Sequence, residues 1–321
     1  MSLPLRAPWR WAAALVLAAL LVAGCSSEPD PPTIRVGLVC GGVGLAALTI
    51  DSGALPGGLQ ARKVCFDSGS DAVQALAGGS IDVFVGAGEH VIDNRAKGLD
   101  VKGYAVVSEA PPYSLVSAAG SGVHTVGDLA GKSVAVTAPG SLSDTELQKA
   151  TAEAGVPYAG LRVVGAGTGA TMQAAIEKGG AAAGMVSDPL LTTMLQSGAF
   201  TLTWKPEFRY IALAVIARPD RVNDNRPVMQ AFLQALRATQ DRANADVSSV
   251  LTAAKEQAPT LDPTTLRTVV ATTIAQAPPE LTIDEGLYRD TTQVLMQVGQ
   301  VRPDKVPSFT DSFDFSLLGT S

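Results

Sequence analysis

KSVAVTAPGSLSD, Lys132 to Asp144, is a short apolar run that enters a Pro-Gly-Ser turn and then a helix start. It repeats the pattern of TIRVGLVCGGVG, Thr33 to Gly44. The segments that follow repeat as well. LRVVGAGTG (161–169) parallels ARKVCFDSGS (61–70), and MQAAIEKGGAAAGMVSDP (172–189) parallels VQALAGGSIDVFVGAGE (73–89), with Gln173 standing 99 residues after Gln74. Each copy reads strand, glycine loop, helix, strand, the signature of parallel α/β architecture. A unit present twice predicts two similar lobes. Between the copies, VKGYAVVSEAPPYSLVSAAG (101–120) suits strands that cross from one lobe to the other, and YIALAVIARPD (210–220) suits a strand that returns. The expected fold is therefore α/β, with two lobes joined by a double crossing. The boundaries expected are residues 34–115 for the first lobe and 116–208 for the second. Residues 209–321 hold the return crossing and helices, beginning with VMQAFLQALRATQDRANA (228–245), that cover the first lobe and the hinge.

The amino terminus reads differently. Arg6 and Arg10 precede the apolar run WAAALVLAALLVAG, which is shorter than a bilayer span and stops before Cys25. The run with its small residues before Cys25 resembles a bacterial lipobox. That resemblance implies removal of residues 1–24, lipidation (palmitate) on Cys25 and a flexible tether over 25–33, where SSEPDPPT is too polar and proline-rich to fold. The mature chain would then sit on the outer face of the cytoplasmic membrane. The formal charge of -6 becomes -8 once Arg6 and Arg10 leave, which argues against a nucleic-acid partner. Cys40 and Cys65 remain as an even pair in an oxidising compartment. They end neighbouring predicted strands, so the reading is a disulfide, with two reduced, buried small hydrophobes as the alternative.

In open parallel sheets ligands bind beyond the carboxyl ends of the strands. The loops there supply Gly41 and Gly42, then Ser68, Gly69 and Ser70, then Gly86, Ala87, Gly88 and Glu89 in the first lobe. Gly140 and Ser141, Thr168, and Asp188 follow in the second. Glycines admit a ligand close to the backbone, and serine hydroxyls with helix N–H groups donate hydrogen bonds. Tyr113 is a candidate aromatic face. Ser143 with Glu146 fits a capping box, so Ser143 is expected to cap its helix and leave Gly140 and Ser141 to the ligand. No dinucleotide fingerprint, P-loop or nucleophile elbow is present. Two cysteines and two scattered histidines make no metal site, so no cofactor, metal or catalytic residue is expected. His90 is expected to make an ordinary helix-start hydrogen bond, and His124 to lie on the surface.

GSDAVQALAGGSIDVFVGAGE, GVHTVGDLAGKSVAVTAPGSLSD and GATMQAAIEKGGAAAGMVSDP together resemble the substrate-binding proteins of ABC importers in the nitrate/sulfonate/taurine group, and the bacterial proteins that bind thiamine-pyrimidine precursors. The resemblance runs from Ile34 to about Asp220. It implies a type II periplasmic-binding fold closing on one small solute, with an ABC permease and ATPase as partners and a monomeric binding protein. It places the group's anion-binding position at Gly140-Ser141 and its acid before proline at Asp188. Leu142 stands where the group often has a second hydroxyl residue, and Asp144 adds a negative charge, so an amine- or hydroxyl-bearing ligand suits this chain as well as an oxyanion. The other readings are a ligand-binding sensor lipoprotein and an enzyme similar to the fungal thiamine-pyrimidine synthases.

Overall fold

The computed structural model describes residues 31–53 and 55–319. The expected signal (1–24) and the lipidated Cys25 lie outside the described residues. Among the described residues no helix is long and apolar enough to cross a membrane.

The first half runs β1 (Thr33–Val39), α1 (Leu45–Asp51), β2 (Gln60–Phe66), α2 (Gly69–Ala77), β3 (Val83–Ala87), α3 (Glu89–Ala96) and β4 (Lys102–Ser108). The second runs β5 (Ser114–Ala118), β6 (Ser133–Val136), α4 (Leu142–Glu153), β7 (Arg162–Gly165), α5 (Ala170–Glu177), β8 (Ala183–Val186), α6 (Leu190–Gln196) and β9 (Phe200–Trp204). The chain returns through β10 (Leu213–Ala217) to α7 (Pro219–Asp224), α8 (Arg226–Ala245), α9 (Leu251–Gln257), α10 (Pro263–Ala275), α11 (Glu285–Gln297) and α12 (Phe309–Ser312).

Two five-stranded sheets result, ordered β2-β1-β3-β10-β4 and β7-β6-β8-β5-β9. In each, the three strands of the repeated unit are parallel, and the strand delivered by a crossing adds antiparallel beside the third: β10 on β3, β5 on β8. The chain passes between sheets at 109–113 and again at 205–212, so the two lobes are joined by a double crossing.

Alternation along the strands builds a core on both faces of each sheet. In the first lobe Ile34, Val36, Leu38, Val83, Val85 and Val215 point to one side, where Phe232, Leu233 and Leu236 of α8 meet them. Phe84, Ala214 and Ile216 point to the other side, among Val91 and Ile92 of α3 and Leu287 and Leu295 of α11. In the second lobe Val134, Val136 and Met185 face Leu147 of α4, while Ala135, Val116 and Val186 face Met172 and Ile176 of α5.

The parallel pairing of β1 with β2 sets Leu38 opposite Cys65 and brings Cys40 to a Cα–Cα distance of 5.3 Å from it, and the two are disulfide-bonded. Of the two alternatives left open by the sequence, the bond is the one formed. The last long helix, α11, touches α3 of the first lobe and α4 of the second. Its Thr291 Oγ1 accepts the Ile211 N–H of the second crossing at 3.0 Å, and just beyond it Gln300 Nε2 donates to Thr145 Oγ1 of α4 at 2.6 Å.

Candidate functional site

The carboxyl ends of β1, β3, β6 and β8 open toward one another, and the cavity between them has a volume of about 380 Å³. Gly41, Gly42, Gly69, Gly86, Ala87, Tyr113, Ser141, Thr168 and Asp188 all line it. Two hydrogen bonds join the lobes across this cleft. Thr168 Oγ1 donates to the Cys40 carbonyl at 3.1 Å, and the hydroxyls of Ser70 and Ser141 are 3.3 Å apart. Ser70 in turn lies 3.1 Å from Ser68, whose hydroxyl donates to Asp71 at 2.7 Å, so a chain of hydroxyls anchored on a carboxylate runs from the first lobe to the second.

Five residues expected in the pocket are placed elsewhere. Ser68 is buried as the cap of α2 and accepts the Asp71 N–H at 3.2 Å. Ser70 spends its hydroxyl on Ser68 and Ser141 and does not line the cavity. Gly140 has φ 77° and donates its N–H to Asp144 Oδ2 at 2.8 Å, so that amide is already satisfied. Gly88 lies against the second crossing: a β-carbon there would come within 2.5 Å of the Ile211 carbonyl oxygen. Glu89 is buried under the hinge. Gly88→Ala is therefore expected to destabilise the fold by about 1–3 kcal/mol through overpacking, read as a lowered urea midpoint; an unchanged midpoint would show that the crossing yields freely.

The helix start at the second lobe also departs from expectation. Ser141, not Ser143, is the N-cap of α4, and no side chain caps it. Ser143 is turned inward, where its hydroxyl accepts the Thr137 N–H at 2.9 Å and pairs with Thr137 Oγ1 at 2.9 Å. Glu146 leaves its capping role and accepts the Tyr113 N–H of the first crossing at 3.0 Å. Asp144 turns away from the cleft to Gly140 and to the Tyr158 hydroxyl. Asp188 accepts both the N–H and the hydroxyl of Thr192, at 3.1 and 2.6 Å.

Beside the cleft, where both crossings meet α3 and α4, lies a buried polar cluster that sequence reasoning did not find. Glu89 accepts from Tyr210 at 2.6 Å and from Thr145 at 2.8 Å. Burial outweighs these bonds and pushes the Glu89 carboxyl up to about 7, with Asp93 and Asp144 adding repulsion. Glu146 is raised in the same direction, chiefly by burial and in part by Glu89, and its Oε1 has no partner among the described residues. His90 is lowered to about 4 by burial and by Lys97, so its imidazole is neutral at physiological pH. Its Nε2 has no hydrogen-bond partner among the described residues and faces Gly69 from behind, contrary to the expected helix-start bond. Among the described residues no group of three or more His, Cys, Asp or Glu could hold a metal ion.

Residues 58–246 match the profile of the NMT1/THI5 like family. No curated protein matches the chain in sequence. Among solved structures, a protein of Bordetella bronchiseptica RB50 is similar with a TM-score of 0.77 and 23% identity, covering 89% of this chain and 95% of its own. The alkanesulfonate-binding protein SsuA from Xanthomonas axonopodis pv. citri, bound to MOPS, has a TM-score of 0.70 and 20% identity, covering 89% and 99%. The zinc-bound ligand-binding component of an ABC-type import system from Staphylococcus aureus has a TM-score of 0.70 and 17% identity, covering 89% and 98%. These likenesses identify the fold as that of periplasmic binding proteins.

Proposed function

The chain belongs to the NMT1/THI5 like family, and from that membership we propose that it is an extracytoplasmic solute-binding protein, held to the membrane by a lipid on Cys25, that delivers a small solute to an ABC permease and its ATPase. The sulfonate, taurine-like, nitrate and pyrimidine-type compounds bound by the group it resembles define the range of solutes. Support for the importer comes from the structural likeness to the ligand-binding component of an ABC-type import system from Staphylococcus aureus. The observation that carries the reading is the cleft itself: both lobes line one cavity, and hydroxyls from the two lobes meet across it. A ligand that touches both lobes binds the closed form better than the open one, and so shifts the population toward closure. No covalent chemistry is required of any residue in the cleft.

The test is to weaken the closed form. Removing two interlobe hydrogen bonds with Ser70→Ala and Thr168→Ala, each worth about 1 kcal/mol, should shift the open-to-closed ratio roughly 30-fold toward open. Small-angle scattering of the ligand-free protein should then show a larger radius of gyration for the double variant. A binding protein that closes must also compact on adding its solute. Identical scattering in every state would remove closure from the reading.

A further inference from the structure

The cleft offers an anion very little. Among the described lining residues there is no arginine or histidine, and the one lysine, Lys63, is already ion-paired with Asp51 at 2.5 Å. Three carboxylates, Asp51, Asp188 and Glu256, line the same cavity. Several of the donors that a glycine-serine loop would present are also committed. The N–H groups of Gly140, Ser141 and Asp71 bond to Asp144, Ala138 and Ser68, and the hydroxyls of Thr137 and Thr168 bond to Ser143 and the Cys40 carbonyl. Taking an anion out of water into such a wall, with no counter-charge to meet it, is strongly unfavourable.

The wall itself is apolar. Leu213 of the first lobe and Leu190 of the second are half-buried on the cavity wall, and Phe84, Leu142, Met172 and Met185 complete that wall as buried side chains. Leu142, at the start of α4 in the second lobe, is 5% exposed and packs into the first-lobe cluster that contains Phe84, Ala87 and Ile211. The residue that follows Gly140-Ser141, where the group often has a second hydroxyl, is thus an apolar contact between the lobes. The cavity of about 380 Å³ equals roughly a dozen water volumes at ~30 Å³ each, far more than nitrate fills. It also reaches Val269 and Thr272 of α10 and Gln276 just beyond that helix.

We propose that this cleft selects an uncharged, predominantly apolar solute, held by side chains of both lobes and oriented by the Ser141 hydroxyl on its wall, and that it excludes oxyanions. The proposal rests on the solute-binding reading and narrows it. The ligand's apolar area supplies the affinity, and its few polar atoms fix its direction.

The probe is N-phenyl-1-naphthylamine, a neutral dye whose emission rises and shifts to the blue in an apolar site, titrated into the soluble mature chain. One saturable site is expected, with emission unaffected by millimolar nitrate, ethanesulfonate or taurine. Leu190→Lys places a charge on a half-buried wall position and should weaken dye binding roughly tenfold or more, with circular dichroism and melting temperature confirming that the variant folds. Leu190→Met should bind like the parent. Failure of the dye to bind, or equal binding by Leu190→Lys, overturns the apolar class. If nitrate or a sulfonate instead binds by calorimetry and compacts the protein in scattering, the apolar class is wrong and the solute-binding reading stands. If neither the dye nor any anion binds or compacts it, both fail.

Discussion

Glu89→Gln is expected to gain roughly 2–3 kcal/mol on the parent protein between pH 5 and pH 8. The sign follows from where the carboxyl sits. Unfolded, Glu89 titrates near 4.5; folded, burial raises it to about 7. Between those values the folded protein keeps a proton that the unfolded chain has lost, so stability present in full at acid pH falls as pH rises toward 7 and stays low above it. Glutamine cannot ionise, and it keeps an acceptor for Tyr210 or Thr145, so the variant escapes that loss. Surface carboxylates such as Asp82, Asp220 and Asp262 are lowered by their hydrogen bonds and tilt the profile of both proteins the opposite way. The informative quantity is therefore the difference between variant and parent, taken from urea unfolding at the two pH values. A constant difference would mean that Glu89 ionises normally in the folded state. Glu146, raised by the same burial and by Glu89 itself, makes the glutamine variant a relief for its neighbour as well.

The strands that carry the fold were legible because their signal is local. TIRVGLV, VFVGA and SVAV alternate toward two cores, the glycine loops mark where each strand ends, and the offset between copies exposes the duplication. Phe200–Trp204 is not among the expected strands, although Phe200, Leu202 and Trp204 alternate with threonines; it is a sheet edge with Thr201 and Leu202 exposed. The site was legible by loop but not by side chain. Helix α4 begins at Leu142, one residue before the expected cap, which hands the N-cap to Ser141 and turns Ser143 into the core. The fate of Glu146 is decided by Tyr113, 33 residues away across the first crossing, and that of Glu89 by Tyr210, 121 residues away across the second. No pattern within one window carries such pairings. Leu142 was visible as a departure from the group, yet its meaning appears only where the lobes close and it enters the first lobe's core.

Replacing Cys40 and Cys65 together with serine is expected to cost on the order of 3 kcal/mol, because the bridge between residues 25 apart restricts the unfolded chain. The loss should extend to the cleft. The bridge fastens the end of β1 to β2, an outer strand of its sheet whose Cys65 is exposed, while Cys40 lies on the cavity wall and its carbonyl receives Thr168 from the opposite lobe. With the bridge gone, the end of β1 is tied to β2 only by the ladder and by the Cys40 N–H to Phe66 bond of 3.3 Å, and the acceptor that Thr168 needs is free to move. The serine variant should therefore lose stability in urea and also populate the open form more in scattering, whereas Thr168→Ala should open the cleft with little loss of stability. Exposure of Cys65 further implies that a thiol reductant reaches the bridge without global unfolding, so the parent protein under reducing conditions should reproduce the serine variant. A serine variant with the parent's urea midpoint would show that the ladder alone holds β2, and a stability loss with unchanged scattering would confine the disulfide to the first lobe and uncouple it from closure.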